Sequence, residues 1–394
     1  MSNLNKHIPK EIIGTKAYNL IELIKNNIDT LPGIVVYESL SSDDKKKLNN
    51  LLTSNISYAV RSSMGNEDLS DNSCAGKYVT ILDVEKEDIF DTIQKVFESV
   101  EANINKAVIV QPMLYSEVSG VIFTADPILN NDDIVIESIL GIGENIVSGE
   151  FTPDTYKINR NTNEIKEEII QDKSFSYILT DCPYTGYKIL LNTIRSRVVI
   201  YNGNSALVSV DVNDKKKKLL TKKQIETIVE ISKNIEKIFA NPQDIEYGIK
   251  DNKLYILQTR DITTLNKSFS ISNTKNTFEK IHIDSERQLT GQTASTGTFK
   301  GKVKKIDLNA MDLDNINLEK SVVVIKDFSP ELIYILDKCG AIVTEYGGIL
   351  CHGAIISREK AIPCITNIPN VMDTLKDNKD VYVDANKGVI YYDI

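Results

Sequence analysis

The stretch from Ala341 to Glu359 limits the possible folds most. Ala341-Ile342-Val343-Thr344 is a short β-type run, Gly347-Gly348 follows, and the residues up to Glu359 have helical character. A strand that enters a glycine pair and leaves as a helix is a strand–turn–helix unit, because glycine allows the tight turn. His352 falls in the first turn of that helix. A helix start presents open N–H groups and the positive end of the dipole, which suit a phosphate. An imidazole held there can act as a nucleophile and carry a phosphoryl group. Taken alone, these residues favour the plainer reading, a histidine that merely follows a glycine turn.

The same alternation continues on both sides. Val322–Ile325 predicts a strand, Pro330–Leu336 a helix, and Val381–Asp384 with Val389–Tyr392 a closing hairpin. Together they describe a compact α/β domain. Upstream, Lys10–Asn27 reads as a glycine turn followed by a helix, and Ile34–Tyr37 as a short strand. Ser57–Ser63, Ala107–Leu114, Val118–Pro127 and Ile134–Glu137 read as strands with their turns, and Lys222–Phe239 as an amphipathic helix. Arg160–Leu220 is polar, poorly patterned and without assigned chemistry. Asp244–Ile249 and Leu254–Arg260, joined at Asp251-Asn252, form a hairpin that sets Gln258 and Arg260 on one face. A carboxylate at Glu246 and an amide oxygen at Gln258 can hold Mg²⁺ while it also binds phosphates. Arg260 can stabilise charge on a transferring group, and Arg61, at the end of a strand before a Ser/Gly loop, can take two phosphate oxygens at once. Thr263–Gln288 is rich in Ser, Thr, Asn and Lys and reads as a linker. Fully extended it would reach roughly 80–90 Å.

Composition narrows the class. With 394 residues the chain is long enough for two or three domains. Its 41% apolar and 26% charged content fits a soluble globular protein. A net charge of −9 argues against a nucleic-acid partner, and the run Lys215–Lys218 reads as a solvated loop. The five cysteines form no CxxC pair and, with only three histidines, no zinc ligand set. Reduced thiols and a cytoplasmic location are the expectation. No apolar run is long enough to span a bilayer.

Thr344, Gly347-Gly348, Cys351-His352-Gly353, Arg358-Glu359 and Ile362-Pro363 together resemble the phosphohistidine segment of the PEP-utilising phosphotransferases. That family includes PEP synthase, pyruvate phosphate dikinase and rifampin phosphotransferase. Leu350 stands where the synthase and dikinase types usually have Thr, so regulation by phosphorylation of that Thr is not expected, and Ala361 replaces a usual Gly. The resemblance extends to Gly14-Thr15-Lys16 with Asn19-Leu20, to Val60-Arg61-Ser62-Ser63 with Glu67-Asp68-Leu69, and to Ser73–Gly76. It extends also to Asp244-Ile245-Glu246 with Leu257-Gln258-Thr259-Arg260. The segments Glu38–Ile56 and Val84–Lys106 are shorter than is usual in the family, so the small lobe is trimmed, and a partner or homodimer contact is one way to cover its core.

The resemblance implies an α/β architecture: an ATP-grasp nucleotide-binding domain over residues 1–264, a linker over 265–290, and a swivelling phosphohistidine domain over 291–394. It implies an ATP-dependent phosphotransferase, a kinase like PEP synthase, that phosphorylates His352 and releases AMP and phosphate. Lys16 would contact nucleotide phosphates, the backbone at Gln111, Met113 and Leu114 would face the adenine, and Glu246 and Gln258 would bind Mg²⁺ and ATP. Arg61 and Arg260 would clamp phosphates, and with His352 they form the expected catalytic set. No acceptor barrel is recognised here, so the phosphoryl acceptor is expected to be a small molecule or to sit on a separate subunit. A small-molecule kinase acting on a metabolite other than pyruvate and a non-catalytic ATP-binding scaffold are the alternatives. The joint presence of Lys16, Arg61, Glu246, Gln258, Arg260 and His352 disfavours the scaffold.

Overall fold

The computed structural model describes residues 1–6, 8–37, 40–64, 80–99, 105–143, 146, 151–173, 216–263, 265, 287–306, 318–328 and 338–394, and the backbone alone of strands within 176–211. Among the motifs read from the sequence, Glu67–Leu69, Ser73–Gly76, Pro330–Leu336 and nearly all of the linker lie outside these residues. The chain divides into two compact units. The first is Met1–Ala125, Asp132–Asn145 and Asp154–Ile262, and the second is Asp126–Asn131, Ile146–Pro153 and Thr263–Ile394.

In the first unit, β1 (Ser2–Asn3) precedes α1 (Lys10–Lys25) and β2 (Ile34–Val36). Next come α2 (Ser42–Leu51), β3 (Tyr58–Met64), β4 (Thr80–Val84), α3 (Ile89–Glu98) and β5 (Lys106–Pro112). β6 (Val118–Phe123), β7 (Ile134–Leu140), β8 (Asp154–Ile158) and β9 (Ile165–Ile169) follow. β10 (Ser176–Leu179), β11 (Lys188–Leu191), β12 (Val199–Tyr201) and β13 (Leu207–Asp211) lead to the helix Lys222–Phe239. β14 (Gln243–Lys250) and β15 (Lys253–Asp261) end the unit. The strands form sheets of order β1-β2-β5-β3-β4-β12, β10-β13-β11 and β15-β14-β6-β7-β8-β9.

β5 shows why an unbroken apolar run becomes a central strand. Val108 and Val110 face a core with Ile34, Val36, Val60 and residues of α2 and α3. Ala107 and Ile109 face the opposite core, which runs through Leu20, Ile21 and Leu23 of α1 to Ile122, Ile136, Ile245 and Tyr247 of the second large sheet. A strand covered on both faces needs no polar alternation. The trimmed lobe therefore has a core of its own. The helix Lys222–Phe239 begins at a capping box of Thr221 and Gln224. Ile225, Ile228, Val229 and Ile235 bury its apolar stripe, each side chain contributing about 1.5–3 kcal/mol. The turn between β14 and β15 has both central residues left-handed, Asp251 at φ 51° and Asn252 at φ 60°, the geometry that suits a two-residue hairpin.

The polar reading of Arg160–Leu220 needs correction, since that segment contains β9 to β13. In β9 the residues from Ile165 to Glu168 are exposed at the sheet edge, so no apolar alternation marked the strand.

The second unit has one sheet. Its strands are β16 (Gln288–Thr290), β17 (Gln292–Ser295), β18 (Thr298–Lys305), β19 (Ser321–Ile325), β20 (Ala341–Thr344), β21 (Cys364–Thr366), β22 (Asp380–Asp384) and β23 (Val389–Tyr392). The order is β16-β23-β22-β18-β19-β20-β21-β17, with the run from β18 to β21 parallel. The helix His352–Glu359 crosses from β20 to β21. His352 therefore lies on the carboxyl side of the parallel strands, where open α/β sheets bind ligands.

α1 breaks at Gly14, which has φ 76° and ψ 167°. A Cβ there would come 2.4 Å from the Met64 backbone nitrogen. Gly14→Ala is expected to cost at least about 2 kcal/mol, combining left-handed strain with a backbone clash. Chemical denaturation reads this directly, and a loss within about 0.5 kcal/mol of zero would contradict it.

Candidate active site

In the first unit the hairpin and β3 build a polar cluster. Glu246 pairs with Gln258 across β14 and β15, and Asp244 pairs with Arg260. Directly opposed residues share a face, so all four stand on one side of the hairpin. A β-bulge makes this possible. Tyr247 pairs with Ile256 rather than with Leu257, which leaves Leu257 as the extra residue. Ile256 and Tyr247 point into the core. Without the extra residue, Gln258 would follow Ile256 onto the core face.

Arg61 comes from β3 and closes the cluster. Its Nη1 donates to the Leu257 carbonyl at 2.8 Å. Its Nη2 donates to Gln258 Oε1 at 2.9 Å and to Glu246 Oε2 at 3.2 Å. The bulge residue thus supplies one acceptor and brings a second into reach. Arg260 donates from Nε to Asp244 Oδ2 at 2.8 Å, and its Nη2 lies 2.8 Å from the same oxygen. Asp244 is buried, while Arg260 keeps about a quarter of its side chain exposed. Asp244 holds Arg260 in place, a role not assigned from the sequence. The available signal was its position two residues before Glu246 in a strand, which sets both on one face.

Glu246 and Gln258 are hard oxygen donors of the kind magnesium takes. Among the described residues no group of three or more Asp, Glu, His or Cys could hold a metal. A two-oxygen site fits Mg²⁺ that draws its other ligands from phosphate and water. Both oxygens now accept from Arg61, so the cation and the guanidinium would share them.

Lys16 lies in the first turn after the Gly14 break and is half-buried. The next residue, Ala17, donates its N–H to Ser63 Oγ at 3.0 Å, and that hydroxyl donates to the Ile13 carbonyl at 2.6 Å. Ser63 thus ties the start of the helix to the end of β3, two residues beyond Arg61. Asn19 Nδ2 donates to the Thr259 carbonyl at 2.7 Å, between Gln258 and Arg260. The turn that carries Lys16, the end of β3 and the hairpin are therefore tied together. The Gln111 side chain is buried and donates to the Leu31 carbonyl at 2.9 Å. The Met113 N–H donates to the Ser57 carbonyl at 2.9 Å. Met113 packs with Leu82, Tyr115 and Ile142 in a small apolar cluster.

His352 opens its helix in the second unit and is half-buried. Cys351, the N-cap, makes no side-chain capping bond to the helix. The rest of the motif is scaffold. Thr344 Oγ1 donates to the Tyr346 carbonyl at 2.6 Å, and Gly347 holds φ 117°. A Cβ on Gly353 would sit 2.0 Å from the Phe328 ring. Arg358 is buried and donates from Nη1 to the carbonyls of Ile349 at 2.7 Å and Ala294 at 2.8 Å, fixing the loop before His352. Burial, followed by the Glu345 carboxylate, pushes the Tyr346 phenol up, so it stays neutral in that loop.

A double-mutant cycle of Asp244→Asn and Arg260→Lys should show coupling of about 1 kcal/mol in unfolding free energy. Losses that add to within about 0.3 kcal/mol would mean that the two side chains act separately.

Residues 36–103 and 100–280 match the family model described as pyruvate phosphate dikinase, AMP/ATP-binding domain. Residues 317–388 match PEP-utilising enzyme, mobile domain. The chain is 33% identical over 353 residues to a probable phosphoenolpyruvate synthase of Archaeoglobus fulgidus, covering 84% of this chain and 43% of that protein. It is 34% identical over 352 residues to phosphoenolpyruvate synthase of Pyrococcus furiosus, covering 84% and 40%. The chain thus spans less than half the length of these curated relatives. D-alanine-D-alanine ligase from Helicobacter pylori aligns over 65% of this chain and 56% of its own, at 12% identity and a TM-score of 0.32, too distant to carry an argument. Among the described residues no helix is long and apolar enough to cross a membrane. With its dikinase-type match covering more than half of its residues and the mobile-domain match beyond it, the chain belongs to the PEP-utilising phosphotransferase family, and its nucleotide-binding part is of the ATP-grasp type.

Proposed function

We propose that the chain catalyses the ATP-dependent half of a PEP synthase-type reaction, with His352 as phosphoryl carrier. The observation that supports this best is the Arg61 fork. It spans the Leu257 carbonyl, Gln258 and Glu246 on the face that also carries Asp244 and Arg260. Two guanidinium groups beside an oxygen pair suited to magnesium make a setting for a polyphosphate, where catalysis is mostly positioning and charge neutralisation.

In this reading Lys16, Arg61 and Arg260 hold the phosphates. Glu246 and Gln258 would hold Mg²⁺, which when bound neutralises phosphate charge. With the Met113 N–H engaged by Ser57, the Met113 carbonyl and the Leu114 N–H are the backbone groups that face the adenine. The Gln111 side chain supports that strand through the Leu31 carbonyl, and the Gln111 backbone belongs to the same adenine-facing hinge. The imidazole of His352 attacks the β-phosphorus of ATP, the bond to the α-phosphate oxygen breaks, and AMP leaves. Water then cleaves the γ-phosphate from the pyrophosphorylated histidine, which leaves phosphohistidine and inorganic phosphate. The open first turn of the helix stabilises the phosphoryl group on His352. Residues 265–290 would be the linker that lets the domain of residues 291–394 travel between nucleotide and acceptor. The acceptor is a small molecule, as in the relatives named for PEP synthesis, or sits on a separate subunit.

Intact mass after incubation with Mg²⁺-ATP tests this, with AMP, ADP and phosphate counted in the same tube. One phosphate added to the wild type and none to His352→Ala, with AMP formed, is the expected result. Arg61→Ala and Arg260→Ala should slow the gain by about 100-fold each. ADP in place of AMP would remove the pyrophosphoryl route. No adduct on a protein that still binds ATP would remove the carrier role of His352.

A further inference from the structure

The hydroxyl of Thr15 plays none of the roles a threonine usually plays at a helix start. Gly14 interrupts α1, and Thr15 begins the part that runs on to Lys25. Elsewhere in this chain a hydroxyl one place earlier, at the N-cap, binds its own helix. Ser41 accepts from the Asp44 N–H, and Thr221 from the Gln224 N–H. In α1 the residue at that place is the non-helical Gly14, which has no side chain, and the neighbouring strand caps instead: Ser63 Oγ accepts the Ala17 N–H and donates to the Ile13 carbonyl. Thr15 is 4% exposed, and its Oγ1 has no hydrogen-bond partner. A buried polar atom left unpaired is rare and disfavoured. A valine of the same shape would avoid the penalty. Other buried hydroxyls also lack partners, Thr92 and Thr155 among them, but only Thr15 stands at a helix start directly before Lys16. That helix start is fixed to the end of β3, and Arg61 shares a β3 face with Ser63. Helix dipole, lysine and arginine all favour an anion at this place.

We propose that the Thr15 hydroxyl is a phosphate-binding group that donates to a phosphate oxygen of the nucleotide beside Lys16. This rests on the nucleotide reading above and adds a neutral donor to its cationic clamp. The ligand class is a di- or triphosphate chain. Ser63 caps the helix where Gly14 has no side chain to do so, and the Thr15 hydroxyl is left without a protein partner.

Titration calorimetry with Mg²⁺-ATP and, separately, with inorganic pyrophosphate tests this on the full chain. The variants are Thr15→Val, Thr15→Ser and Thr15→Ala, each with its melting temperature measured without ligand. Thr15→Val should melt at or above the wild-type temperature yet bind both ligands roughly tenfold more weakly, a loss expected for one missing donor. Thr15→Ser should restore binding, and Thr15→Ala should match the valine variant if valine fails to fold. Equal pyrophosphate affinity in wild type and Thr15→Val or Thr15→Ala overturns the inference, even if ATP phosphorylates His352. Binding of pyrophosphate but not ATP by the wild type overturns the nucleotide reading and leaves Thr15 to be judged on pyrophosphate. A wild type that binds neither overturns both.

Discussion

Arg61 is the interaction on which the first unit's site depends. It stands on a strand of one sheet, and its three acceptors stand on the hairpin of another. A guanidinium can do this because its donors form a planar fork, whereas a lysine would offer a point charge. The fork needs its acceptors in one place, and the bulge at Leu257 provides that. The bulge also reverses the facing of the strand, so that β15 contributes Ile256 to the core and Gln258 and Arg260 to the site. One inserted residue therefore serves both the core and the candidate site.

The second unit solves a different problem, how to present one imidazole firmly. A helix of eight residues is too short to be stable by itself. It is held by close packing of Phe328 on Gly353 and by Arg358, which bonds the loop before the helix and β17. Most residues of the motif are scaffold. Thr344, Gly347, Gly353 and Arg358 shape the turn and the helix start, and His352 is the residue proposed to carry the phosphoryl group. Its neighbour Cys351 donates its thiol to the Gly348 carbonyl and also serves the turn. Burial raises the Cys364 thiol well above the ordinary range, so it stays protonated beneath this loop.

Much of the fold was legible because the patterns were strong. The helix Lys222–Phe239 follows from its cap and its isoleucine spacing. The hairpin β14–β15 follows from two β-type runs around Asp251-Asn252. β5 follows from its apolar run, although that run overstated its end, which Pro112 sets. β9 was not legible, since an exposed edge strand carries no apolar alternation. Gln111 illustrates a second limit. The sequence assigned only the backbone at Gln111 to the hinge, and what its amide does, donating to the Leu31 carbonyl, is a contact across 80 residues.

The sequence by itself determined the two families of elements, the strand–turn–helix that carries His352, and the residue types able to grip phosphate, because these depend on local spacing and on motifs. Only the tertiary structure decided how they combine. The pairing of Asp244 with Arg260 depends on the register of the hairpin, and the capping of α1 by Ser63 on a contact between segments far apart in the chain. The bulge at Leu257 depends on pairing across the hairpin, which composition does not encode. Side-chain facing changes with a single inserted residue, so the face on which Gln258 stands had to be read from register.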